Sequence, residues 1–143
     1  MGDLAQERRR HTLIARPEAQ AHFLRCLDSE GGGPCVLFLS APGGTGKTVA
    51  LRLFEALAHE RGVATAWLDA RDVPADARAA EQRFAEALAD LADARRGVVF
   101  VDTFEAHQSL ERIYRDRILP MAPKTVRVVL ASRHSPELRW RSD

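Results

Sequence analysis

The sequence predicts a three-layer α/β fold, with a mostly parallel sheet of about four strands and helices on both faces. Three observations carry this expectation. Short apolar runs at 35–39, 63–68, 98–101 and 126–131 alternate with stretches of helical periodicity along the 143 residues. The first run, 35–39, is continuously apolar rather than alternating, as in a strand covered on both faces. Strand–helix–strand order also favours parallel pairing, because the crossover needs a dozen or more residues.

The bulk properties narrow the class further. A chain of 143 residues, 45% of them hydrophobic, suits one domain with a real core. The net charge of +1 supplies no global field for a phosphate backbone, so direct nucleic-acid binding is not expected. No run reaches the length of a membrane span, and residues 1–10 are polar, so a membrane anchor or secretory signal is not expected either. Cys26 and Cys35 match no metal pattern. The expectation is a pair of reduced core thiols in a cytoplasmic protein.

Each element follows from local pattern. Residues 1–12, with Arg8, Arg9 and Arg10, read as a polar tail, and 13–143 as the domain. Pro17 suits a first helical turn, and Phe23, Leu24 and Leu27 give helical spacing to Asp28. Gly31, Gly32, Gly33 and Pro34 break the helix before the first apolar run. After residues 41–48 a second helix carries Ala50, Leu51, Phe54, Leu57 and Ala58 on one face and closes at Gly62. The second strand, 63–68, ends in Asp69, Ala70, Arg71 and Asp72. A helix is expected over 77–95, with Phe84, Leu88 and Leu91 in phase. Strand 98–101 runs into Asp102. Leu110, Ile113, Tyr114 and Ile118 then give another helical stripe, stopped by Pro120 and Pro123. Strand 126–131 ends at Ser132 and Arg133.

The segment between the first strand and second helix carries chemistry. Ala41, Pro42, Gly43, Gly44, Thr45, Gly46, Lys47 and Thr48 fit G-x-x-x-x-G-K-[ST], with alanine in place of the first glycine. Glycines let backbone N–H groups turn inward around phosphates, and the helix presents its positive end to them. Lys47 would reach the β- and γ-phosphates, and the Thr48 hydroxyl would ligate Mg²⁺. The chain keeps only two lysines among its 21 basic residues, and one of them is here. These features make the expected fold a P-loop NTPase sandwich.

Asp102 stands at the carboxyl end of its strand, where open α/β sheets gather ligands, and would hold the Mg²⁺ shell opposite Thr48. Glu105 is the candidate to orient an attacking water, since Thr103, next to Asp102, carries no carboxylate. A parallel sheet delivers Arg133 to the same rim, where its guanidinium would bond the γ-phosphate. The scattered histidines, including His107, form no metal spacing. Trp67 and Trp140 read as packing residues.

With Lys47, Asp102 and Arg133 placed, the chain resembles the nucleotide-binding core of STAND proteins, the signal-transduction ATPases with numerous domains, relatives of NACHT and AAA+ ATPases. The similarity lies in residues 43–48, in 98–105, and in 128–133, which is similar to that family's sensor strand and its arginine. The resemblance implies ATP as the nucleotide. It also implies that Arg16, in Leu13-Ile14-Ala15-Arg16-Pro17, belongs to the adenine pocket. Family members continue into a fifth strand and a lid, whereas ten residues follow Arg133 here. A partial domain is therefore expected, with the first strand at a sheet edge, working with protein partners, the remainder of a longer chain, or a nucleotide-dependent homo-oligomer. Three readings stay open: a slow ATP-hydrolysing switch module, a small-molecule P-loop kinase, and a nucleotide-binding interaction module that hydrolyses nothing.

Overall fold

The computed structural model describes residues 17–28, 36–40 and 45–133. Helix α1 (Pro17–Asp28) precedes β1 (Val36–Ser40), α2 (Thr45–Glu60) and β2 (Ala64–Asp69). A single 3₁₀ turn (Ala70–Asp72) leads to α3 (Ala77–Asp90) and β3 (Gly97–Asp102). A mixed helical segment over 104–121 then returns the chain to β4 (Val126–Ser132). All strand pairs are parallel, in the order β1-β4-β3-β2. Among the described residues β1 therefore lies at an edge.

Side-chain alternation splits the core into two layers. Val99 and Val101 of β3 and Val128 and Leu130 of β4 face Phe84 of α3 and Tyr114 and Ile118 of the mixed segment. Val98, Phe100, Val129 and Ala131 face Phe23 and Leu27 of α1 and Leu51 and Phe54 of α2. Each residue of β3 and β4 is buried, while β1 and β2 are half-buried. Phe100 anchors the second layer, with ring centroids 6.1 Å from Phe23 and 5.0 Å from Trp67. Trp67 thus packs, as expected.

Two guanidinium groups close the α1 terminus. Arg96 donates to the Leu27 carbonyl at 2.7 Å, and Arg127 Nε donates to the Cys26 carbonyl at 2.8 Å. Cations suit the negative end of a helix, whose last carbonyls lack internal partners. Burial pushes the Arg127 pKa down, and Arg96 nearby adds to this.

Three expectations need correction. Helix α3 ends at Asp90, not residue 95: Leu91 leaves helical geometry at φ −103°, ψ 5°. Its side chain instead covers Gly97, where an added Cβ would lie 2.8 Å from Leu91 Cδ1. The expected helix around 110–118 is a composite of 3₁₀, α and π turns, kinked at His107. Finally, Cys26 is disulfide-bonded rather than a reduced thiol. Helix α1 packs on β1, and Cys35, the only other cysteine, immediately precedes that strand.

Candidate functional site

The carboxyl ends of the strands form one rim. Ser40 of β1 is in register with Ser132 of β4, and Asp69 of β2 with Asp102 of β3. The segment linking β1 to α2 starts from this rim. Of the expected phosphate-binding residues, Arg16, Ala41, Pro42, Gly43 and Gly44 lie outside the described residues, as do the side chains of Thr45, Gly46 and Lys47. The backbone from Thr45 opens α2, so the glycine-rich segment leads directly into a helix N-terminus. Thr48, in the first turn, is exposed.

Asp102 is the last residue of β3 and is buried, at 7% exposure. It shares strand parity with Val98 and Phe100, so it belongs to the face that α2 covers. Its Oδ1 accepts the Thr103 N–H at 2.7 Å. Thr103 is the one described non-glycine residue at positive φ, at φ 56° and ψ 44°. That left-handed residue turns the chain sharply out of the strand. The next side chain, Phe104, is fully buried, edge-on to Phe38 of β1 at 5.9 Å and to Tyr114 at 4.8 Å.

Glu105 follows this anchor. Its Oε1 accepts the backbone N–H of Arg133 at 2.9 Å, tying the segment after β3 to the residue after β4. The Arg133 side chain is exposed and makes no ion pair among the described residues. The structure therefore brings Asp102, Glu105 and Arg133 to the rim from which the glycine-rich segment departs.

Two features escaped the sequence. Asp69 lies one strand from Asp102, about 4.8 Å away across the sheet. Arg71 grips both Asp69 oxygens, at 3.2 and 2.8 Å, and donates its backbone N–H to Oδ1 at 3.0 Å. The hydrogen bond with Asp69, then its charge and that of Asp102, raise the Arg71 pKa. The polar run after β2 was visible in the sequence, but nothing there placed it beside Asp102. The second feature is buried His107. Its Nε2 lies 2.8 Å from the Val73 carbonyl and its Nδ1 2.7 Å from the Tyr114 hydroxyl. With Nε2 donating to the carbonyl and Nδ1 accepting from the hydroxyl, both partners are satisfied. Burial pushes the Tyr114 pKa up, keeping its hydroxyl protonated as a donor. This pair fastens the mixed segment to the loop after β2.

A parallel sheet layered on both faces, with a glycine-rich lysine loop between β1 and α2 and an aspartate closing β3, defines a P-loop nucleoside-triphosphatase core. The chain belongs to the novel STAND NTPase 5 family, whose model matches residues 8–142. It is a nucleotide-binding NTPase module. The fold is also similar to a solved structure described as a DNA replication initiation factor, with a TM-score of 0.52 at 20% identity. That match covers 85% of this chain and 37% of the other, so this chain spans well under half of its neighbour's length. No curated protein sequence matches significantly. No described helix is long and apolar enough to cross a membrane.

Proposed function

We propose that this protein is the ATP-binding, slowly hydrolysing switch module of a signalling or regulatory ATPase. The observation that supports this reading most is the shared rim. Thr48 lies in the first turn of α2, which covers the same face of the sheet as Asp102, with Arg133 beyond β4. Lys47 binds the β- and γ-phosphates. The donor set suits Mg²⁺, a hard cation that takes oxygen ligands. Thr48 supplies an exposed hydroxyl, and Asp102 supplies a carboxylate whose orientation is fixed by the Thr103 N–H. When bound, Mg²⁺ neutralises phosphate charge. Arg133 distinguishes ATP from ADP through the γ-phosphate. Thr103 follows Asp102 where a carboxylate base would serve hydrolysis, which favours slow turnover. A bound γ-phosphate would then hold the rim closed, and its loss would release partner proteins or other copies of the chain.

The kinase alternative is less well supported. Its phosphate-binding lid would draw on Arg112, Arg115 and Arg117, yet Arg115 pairs with Asp116 at 2.9 Å and Arg117 with Glu81 at 2.8 Å. ATP binding and phosphate release, measured with and without small-molecule acceptors, test the choice. The switch reading requires binding, and slow release that acceptors do not stimulate. Acceptor-dependent consumption of ATP would establish a kinase, and binding without turnover would establish an interaction module.

A further inference from the structure

We infer that Glu105 acts on nucleotide discrimination by positioning Arg133, not by activating water. This assignment rests on the nucleotide reading above. Sequence pattern alone sends Glu105 to the water, as the nearest carboxylate after Asp102. The geometry gives it a different task.

Glu105 is held from both sides. Thr103, at φ 56°, redirects the chain at the end of β3, and the Ala106 N–H closes the turn onto the Thr103 carbonyl at 3.0 Å. Phe104 is locked between Phe38 and Tyr114 with no exposed surface. A carboxylate one residue beyond such an anchor has little freedom to swing. Its Oε1 receives the Arg133 N–H at 2.9 Å, a charge-assisted bond to the first residue past β4. The Arg133 guanidinium enters no ion pair among the described residues. Glu105 thus fixes the Arg133 main chain while its side chain stays available for a phosphate. Displacing Asp102 and Thr103 would pass through Glu105 to Arg133. The metal-binding and phosphate-reading ends of the rim are thereby joined by one hydrogen bond.

The decisive feature is that the contact needs an acceptor oxygen, not a base. Glutamine keeps such an oxygen; alanine does not. Glu105→Gln and Glu105→Ala should therefore be compared with wild type in two measurements. The first is hydrogen exchange of the Arg133 amide, followed by NMR without nucleotide. Exchange should accelerate by roughly tenfold or more in Glu105→Ala, and much less in Glu105→Gln. The second is the ratio of ATP to ADP affinity by calorimetry, with phosphate release measured alongside. Glu105→Ala should lose roughly tenfold of the ATP preference, approaching Arg133→Ala, and Glu105→Gln should recover most of it. Two outcomes would overturn the inference. In one, both variants lose turnover alike with the affinity ratio unchanged, as expected of a base. In the other, the Arg133 amide exchanges at the wild-type rate in Glu105→Ala. If wild type binds no nucleotide, the functional reading fails, and amide exchange alone still decides whether Glu105 holds Arg133.

Discussion

Replacing Thr103 with glycine should stabilise the fold while impairing the site. Thr103 occupies φ 56°, ψ 44°, and its side chain makes no capping hydrogen bond. A left-handed conformation costs an L-residue about 1–2 kcal/mol, and β-branched residues adopt it rarely. Glycine removes that cost but adds about 0.4–1 kcal/mol of unfolded-chain entropy. The remainder is a gain of about 0.5–1 kcal/mol, or roughly 2–4 °C in Tm for a domain of this size. The bond from the Thr103 N–H to Asp102 belongs to the backbone and survives the change. What disappears is the restriction that holds Asp102 and Glu105 in their present directions, so nucleotide affinity should fall as stability rises. Urea unfolding followed by circular dichroism, beside calorimetric ATP titration, measures both. Thr103→Val keeps the branched Cβ and should show no such gain. A Thr103→Gly protein less stable than wild type by more than about 1 kcal/mol would mean that side-chain contacts outweigh strain here. The reasoning would then fail.

Two further outcomes concern packing and pH. Gly97→Ala places a Cβ 2.8 Å from Leu91 Cδ1 and should destabilise by about 1–3 kcal/mol, read as a lower urea midpoint. A neutral result would mean that the α3–β3 connection repacks freely. Glu55 accepts a 2.6 Å bond from Trp67 Nε1 and a 3.1 Å bond from Arg52. Burial alone would raise its pKa, but these two partners outweigh burial and hold it below 4.5. A depressed folded-state pKa stabilises fully above the unfolded value and loses that contribution as pH falls through the folded one. The stability advantage of wild type over Glu55→Gln should therefore be present at neutral pH and shrink well below pH 4.5, as urea midpoints would show. An advantage that grows in acid would refute the sign.

Strand positions were legible because short, mainly apolar runs alternate with longer stretches of helical periodicity: each strand lies within about one residue of its expected bounds. Helix ends were less so. The alanine- and arginine-rich run after Asp90 has helical propensity, and no glycine or proline stops it before Gly97. Burial of Leu91 over Gly97, a tertiary effect, ends the helix instead. The region 104–121 carries a clear apolar stripe, but its mixture of turns depends on the His107–Tyr114 pair, which no periodicity reveals. At the site, the rim positions of Asp102 and Arg133 follow from strand order alone. Asp69 and Arg71 required knowing that β2 pairs with β3. Cys26 and Cys35, nine residues apart with no metal or C-x-x-C spacing, read as reduced thiols because the sequence does not show which segments are packed together.

Calorimetric titration of Mg·ATP into wild type and Lys47→Ala tests the central claim most directly. Wild type should bind ATP, and removing Mg²⁺ should weaken binding through loss of the contacts assigned to Thr48 and Asp102. Lys47→Ala should lose at least roughly tenfold in affinity, because a charge-assisted phosphate contact disappears. Equal affinity in the two proteins, or binding indifferent to Mg²⁺, would contradict the account.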